Sequence, residues 1–268
     1  ELIEKDIESY RRAADFLMDI DVVHLLLLII AGIAAGFINT LAGGGSLFTL
    51  PALMLLGMPA DVANGTNRIG VFLQSVAGVW GYRRHGKLEQ AALVPILIPS
   101  VLGALIGSLV ASYIPPAVLK PALLGTMMTM MLLVLLKPST FPALGEATFT
   151  VAEKPAAWIW LFGAGLYGGF VQAGVGFLLL TVLAGILRYD LVRANALKMA
   201  CTLVFGLLPL LVFIVRDQVL WLPGLIVGVS TIVGVQLSVK FAVTAHQTTL
   251  KWIFMGMGMV VCVAALLK

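Results

Sequence analysis

Charge is what this sequence lacks most. Asp, Glu, Lys and Arg make up 11% of the 268 residues, whereas 60% are hydrophobic and the mean hydropathy is +1.06. A soluble domain carries about 25% charged residues, and no water-soluble fold can hide this much apolar surface. Carboxylates are missing from the middle of every long apolar run: Asp61, Glu89, Asp190 and Asp217 all fall near run ends. That argues against a proton relay through Asp or Glu inside a membrane. Cysteine is nearly absent, and Cys201 and Cys262 each lie in an apolar run without a second Cys or a His at ligand spacing. The histidines His24, His85 and His246 are scattered singly near segment ends, so neither a metal site nor a cofactor is expected. Ser46 has no histidine in a neighbouring span at similar depth, so no nucleophile and base pair offers itself and no catalytic residue is expected.

What remains is an all-α integral membrane protein. A spanning helix needs about 20 apolar residues, and the runs 22–41, 61–83, 88–113, 115–137, 156–174, 190–215, 219–244 and 246–267 are of that order. Two further apolar pieces, 46–57 and 176–187, are only about 18 Å long at 1.5 Å per residue. Each follows a glycine cluster and reads as a half-membrane helix. Residues 1–21 place Leu2, Ile3, Ile7, Tyr10, Ala14 and Leu17 at helical spacing between charges, which describes an amphipathic surface helix. The chain begins at Glu1 rather than Met, read here as a removed or trimmed leader, and its first segment is too acidic to be a signal peptide.

One long polar connection, residues 138–155, separates a first transmembrane repeat (22–137) from a second (156–268). At an offset of 131, Ala63 and Asn64 meet Ala194 and Asn195, Gly103 meets Gly234, and Leu119 and Lys120 meet Leu250 and Lys251. Gly43 and Gly45 then meet Gly174 and Gly176, and after a two-residue slip Gly36, Phe37 and Asn39 meet Gly169, Phe170 and Gln172. If each half is a glycine-broken re-entrant hairpin plus three spanning helices, its crossings are odd and the second half enters inverted. The positive-inside rule arbitrates. With the N-terminus outside, inverted topology puts ten of the fourteen Lys and Arg after Asp21 on the inner side and four outside, whereas parallel repeats divide them seven to seven. Two inverted-topology repeats in a bacterial cytoplasmic membrane are therefore expected.

Broken segments at matching places in two halves point to a transporter binding site. Three successive glycines, Gly43, Gly44 and Gly45, each weaken a helix by about 1 kcal/mol relative to Ala, so they mark a break at a binding site or else close helix packing. The half-helix starting near Ser46 then offers backbone N–H groups and a positive dipole end to an anion. Arg68 and Lys198 lie about 10–12 Å into their spans at 1.5 Å per residue, where an unpaired cation costs at least about 2.5 kcal/mol. Their partner is an anion from solution, or else backbone carbonyls or snorkelling satisfy them. The expected substrate-binding set is Asn39, Gly43, Gly44, Gly45, Ser46, Asn67, Arg68, Gln172, Gly174, Gly176, Asn195 and Lys198. Asn64, Gln74 and Gln236 add polar lining or interhelical hydrogen bonds.

The run Gly36-Phe37-Ile38-Asn39 leading into Gly43-Gly44-Gly45-Ser46, then Pro51, Gly57, Ala63-Asn64-Gly65-Thr66-Asn67, Tyr82 and Gly86-Lys87-Leu88, resembles the TauE/SafE sulfite exporters of bacterial membranes. The resemblance extends over the whole chain through a looser second copy with Gln172 and Lys198. It implies transport, typically export, of sulfite, an organosulfonate or a related sulfur oxyanion, with membrane lipid and H+ or Na+ as further partners and no nucleic acid. An anion channel or a permease for another small anion is the alternative. The topology predicts that a cysteine at His85 labels only from the cytoplasm and one at Gln218 only from outside, on a background lacking Cys201 and Cys262. Labelling of both from one side rules out inversion.

Overall fold

Glycine clusters and chain polarity divide the molecule into helices much as expected. A computed structural model describes residues 22–41, 43–136 and 147–245, and no strand occurs among them. The helices are α1 (Val22–Leu41), α2 (Ser46–Leu55), α3 (Ala60–Arg84), α4 (Gln90–Tyr113), α5 (Pro116–Leu136), α6 (Ala156–Phe170), α7 (Val175–Leu180), α8 (Leu191–Val215) and α9 (Trp221–Thr244). A π-helical segment, Thr181–Ile186, continues α7. The amphipathic helix expected at 1–21, the last span at 246–267 and residues 138–146 of the connection lie outside the described residues.

Helices α4, α8 and α9 are long and apolar enough to cross a membrane. On α4, Ile98, Leu102, Ile106 and Leu109 form an exposed stripe at helical spacing, while Ser100, Gly103, Ala104 and Gly107 are buried on the opposite side. The large side chains suit lipid and the small ones suit a neighbouring helix, because apolar lipid leaves close backbone packing as a main source of helix association. Exposed Trp80, Trp158, Trp160 and Trp221 stand near helix ends, where amphipathic rings suit a membrane interface.

Packing is exchanged between the halves. Helix α4 packs on α6, and α9 packs on α1, while α3 and α8 face each other at the centre. The space a side chain would need at Gly36 is filled by the Thr231 carbonyl, and at Gly165 by the Ser100 carbonyl. In the same way Gly234 sits against the carbonyl of Ile33 and Gly103 against that of Phe162. Helices α3 and α8 match end for end at a separation of 131, as do α4 and α9.

The first helices match differently. Gly165 stands 129 residues after Gly36, Phe170 ends α6 as Leu41 ends α1, and Val175 starts α7 as Ser46 starts α2. The pairings of Gly36, Phe37 and Asn39 with Gly169, Phe170 and Gln172, and of Gly43 and Gly45 with Gly174 and Gly176, are therefore corrected: the offset here is 129, so the slip runs the other way. Gly43 and Gln172 are the equivalent left-handed terminators, with φ of 86° and 67°. Their N–H groups reach back to Ile38 and Tyr167. By Gly57 and Arg188, both of positive φ, the separation is again 131. The second half thus carries two extra residues between these points, and the π-helical turn Thr181–Ile186 takes them up, since π geometry fits extra residues into a helix without breaking it. Glycine-rich runs align cheaply by sequence, and it is the carbonyl contacts that fix their register.

Two glycines on α6 provide a test. A Cβ at Gly165 runs into the Ser100 backbone, whereas Gly163 has nothing within 4 Å. Gly165→Ala is expected to cost about 1–3 kcal/mol through overpacking, and Gly163→Ala to be neutral or to stabilise by up to about 1 kcal/mol. Thermal unfolding of the detergent-solubilised protein measures both.

Candidate functional site

Breaking a helix inside a membrane leaves its last carbonyls without partners and without water to replace them. Both breaks are closed by side chains from the opposite half. Lys198, on α8, donates from Nζ to the carbonyls of Asn39 (2.6 Å) and Thr40 (3.0 Å) at the end of α1 and to Asn195 Oδ1 (2.6 Å). Its three hydrogens are thereby matched by three acceptors. Arg68, on α3, donates to the carbonyls of Gly168 (3.0 Å) and Phe205 (3.1 Å) and to those of Gly169 and Phe170 at the end of α6. Its guanidinium also lies over the Phe213 ring, 5.0 Å from the centroid. Each cation meets the negative end of a helix dipole, the arrangement that favours positive charge there.

Two asparagines repeat the pattern. Asn64 Nδ2 donates to the Phe170 carbonyl at 3.0 Å, and Asn195 Nδ2 to the Leu41 carbonyl at 3.1 Å. Asn64 and Asn195 are 131 apart, and Leu41 and Phe170 are the matched last residues of α1 and α6. The carbonyl alternative for the buried cations is thus the one seen here. Asp61, Glu89, Asp190 and Asp217 all stand at helix ends, with Asp190 capping α8 through Val192 and Arg193 N–H.

The hairpin tips meet. Gly43 and Gly176 lie backbone to backbone, so that a side chain on either collides with the other. Gly44 faces the Phe177 ring, and Gly45 sits tightly against Ala35 and Asn39. Gly45 N–H reaches Asn39 Oδ1 at 3.4 Å, tying the start of α2 to the end of α1. On the other tip, Gly174 has φ 79°, and Gln172 Nε2 reaches the Phe205 carbonyl at 3.4 Å. A left-handed Gln costs about 1–3 kcal/mol in backbone strain, so a non-glycine residue is held here by its surroundings.

Beside the first tip lies a pocket lined by Ala35, Gly45, Ser46, Thr49, Asn67, Gly70, Val71, Gln74, Val227 and Thr231. Its walls stand so close that they leave no room for a water molecule. Thr49 Oγ1 donates to Asn67 Oδ1 at 2.6 Å, and Thr231 Oγ1 to the Gly228 carbonyl at 2.7 Å. Asn67 Nδ2 and Gln74 Oε1 are buried without a partner.

A family model described as "Sulfite exporter TauE/SafE" matches residues 28–265. The chain belongs to the TauE/SafE family. A "Probable membrane transporter protein" of Haemophilus influenzae is 28% identical over 240 residues, covering 87% of this chain and 91% of that protein. One of a Sinorhizobium species is 26% identical over 234 residues, covering 85% and 87%. The "Probable membrane transporter protein YfcA" of Escherichia coli is 25% identical over 226 residues, covering 84% and 82%. No solved structure matches the chain. A membrane transporter of the TauE/SafE family, rather than an enzyme, is what the helices and these relatives together describe.

In this TauE/SafE protein, the sequence-derived residues fall into two groups. Gly43, Gly44, Gly174 and Gly176 form the tip contact, while Gly45, Ser46 and Asn67 line the pocket. Arg68 and Lys198 are not brought together: each reaches a different hairpin, with Asn195 beside Lys198 and Gln172 bound across to Phe205. Thr49 and Thr231 were not expected at the site, and Gln74 was expected only as polar lining or an interhelical hydrogen bond. A signal existed for Gln74, which lies two turns after Asn67 on one face of α3. Thr231 had none, because α9 is remote in sequence. Removing the Lys198 ammonium leaves buried carbonyls short of donors, each worth about 1–3 kcal/mol. Lys198→Met and Arg68→Leu are therefore expected to lower the thermal midpoint without any substrate. Exposed Arg84→Ala should not, and an unchanged midpoint in the first two would deny the capping role.

Proposed function

We propose that this protein is a secondary transporter of a small sulfur-containing oxyanion such as sulfite or an organosulfonate, exporting it across the bacterial inner membrane. Its halves act as inverted repeats, each a re-entrant hairpin plus three spanning helices, with the N-terminus outside. One observation carries the reading: two glycine-broken hairpins meet tip to tip at Gly43 and Gly176, with Arg68 and Lys198 buried close behind them. The caps engage the hydrogens of these cations but do not cancel their full charges, since a helix end carries only about half a charge. In a low-dielectric interior the tip region is therefore positive and draws an anion. The amino end of α2 at Ser46 adds dipole in the same sense.

Substrate oxygens are received beside the first tip, where Gly45, Ser46 and Asn67 line the pocket and Asn39 holds the turn. Gly43, Gly44, Gly174 and Gly176 allow the two tips to approach, and Gln172, Asn195, Arg68 and Lys198 position them. Alternating access then consists of one half rocking on the other about this contact, coupled to an H+ or Na+ gradient.

The test is flux into liposomes with sulfite, sulfate, thiosulfate and small sulfonates, each with and without a pH or Na+ gradient. Saturable exchange of sulfite or a sulfonate is expected; flux that never saturates would make the protein a channel. Losing one hydrogen bond to a charged group lowers affinity roughly 10- to 150-fold. Asn39→Ala and Gly44→Leu are expected to weaken transport by at least that lower factor while still purifying as folded protein. Wild-type flux in both would place the substrate elsewhere.

A further inference from the structure

We infer that the end of α3 and the turn into α4 form a headgroup site for an anionic phospholipid of the surrounding membrane, with Arg84 beside Trp80 as the anchor for its phosphate diester. The basis is one face of α3. Val76, Trp80 and Arg84 follow at steps of four and therefore share that face. All three are exposed, Val76 at 43% and Trp80 at 54%. Toward the end of the helix, the face offers an apolar side chain, then an indole, then a guanidinium. That is the order of a lipid: acyl chain, interface and headgroup.

Arg84 lies over the Trp80 ring, with Cζ 5.5 Å from the centroid. Among the described residues no hydrogen bond or ion pair engages its N–H groups. A guanidinium is a planar fork that fits two phosphate oxygens at once, and attraction to the ring holds that fork in place. Arg83 and Lys87 are exposed as well, and among the described residues no carboxylate pairs with them. Glu89 and Asp190 are turned to Arg193, at 3.4 and 3.3 Å. Lys240, exposed on α9, follows Val239, which packs against Gly81. Positive charge thus gathers at this end of α3 without a carboxylate to absorb it.

The fold does not require these side chains. At the separation of 131, Val76, Trp80 and Arg84 correspond to Leu207, Leu211 and Val215 on α8, which are exposed too but apolar throughout. Both helices then end in the same turn. After α3, Lys87 N–H reaches the Tyr82 carbonyl and Gly86 N–H that of Arg83, with Gly86 at φ 65°. After α8, Gln218 N–H reaches the Phe213 carbonyl and Asp217 N–H that of Ile214, with Asp217 at φ 55°. This motif satisfies the last carbonyls of a helix by backbone bonds alone. One half builds it with Arg83, Arg84 and Lys87, the other with Ile214, Val215 and Gln218. The cations beside Trp80 are an addition to the turn, not a condition of it.

Charge selects the kind of lipid. A zwitterionic headgroup brings its own cation to its phosphate, whereas phosphatidylglycerol carries an uncharged glycerol and leaves the negative charge for the protein. Each Lys or Arg close to an anionic membrane surface strengthens attachment roughly fivefold, and salt screens the effect. A soluble phosphate ester has the same oxygens but no acyl chain to lie along Val76 and Trp80. The apolar part of the face therefore favours lipid over free phosphate.

The test follows the thermal midpoint of the purified full chain in nonionic detergent with graded phosphatidylglycerol, phosphatidylcholine or glycerol phosphate. A ligand of the folded state raises the midpoint, and phosphatidylglycerol is expected to do so at concentrations where the other two leave it unchanged. Arg84→Gln and Trp80→Leu are expected to keep the wild-type midpoint without lipid and to need roughly fivefold more phosphatidylglycerol for half of the shift. Arg216→Gln, at the matching turn after α8, is expected to respond to the lipid as wild type does. Equal shifts with phosphatidylglycerol and phosphatidylcholine, or with glycerol phosphate alone, overturn the inference. So does a phosphatidylglycerol response that both α3 variants retain in full, or one that Arg216→Gln loses equally. None of these readouts involves a transported substrate, so the transport reading stands or falls separately.

Discussion

The demand that every backbone carbonyl find a partner in a membrane governs this structure. A glycine break leaves the last carbonyls of α1 and α6 without partners in their own helices. Lys198 and Arg68 answer that demand, assisted by Asn195 and Asn64. Because each answering side chain comes from the other half, the breaks that open the candidate site are also what lock the halves together. The same cations leave positive charge behind the hairpin tips, so one pair of residues carries both the fold and the electrostatics.

Close glycine packing extends the interlock. At Gly36, Gly165, Gly103 and Gly234 a carbonyl of the facing helix takes the place of a side chain, which brings backbones together over much of the α1–α9 and α4–α6 contacts. The two halves differ where the chemistry lies. Polar residues line the space beside the first tip, whereas Phe205 and Val175 occupy its counterpart. The polar pocket thus lies on the side of the first tip.

Much of this was legible in the sequence. Scarce charge and long apolar runs gave the all-helical membrane class, and the runs of glycine gave the breaks after α1 and α6. Asn64 and Asn195 gave the offset of 131 that the ends of α3, α4, α8 and α9 obey. The register of α1 against α6 was misread, because a small residue matches any other small residue until a neighbouring carbonyl fixes its place. The partners of Arg68 and Lys198 were open for a different reason: sequence shows that a buried cation needs an acceptor but not that a helix end a hundred or more residues away supplies it. Thr231 was invisible because only folding brings α9 beside α3.

The crossed caps differ in one respect that concerns synthesis rather than the finished protein. Lys198 emerges after Asn39 and Thr40, so its acceptors are already in place when it enters the bilayer. Arg68 emerges 100 residues before Gly168. At roughly 5–20 residues per second of translation, its guanidinium waits on the order of 5–20 seconds for the carbonyls that will hold it. During that interval the first half carries Arg68 without the α6 carbonyls, and the arrival of α6 ends the wait. The order of assembly is thus written into which half carries the arginine.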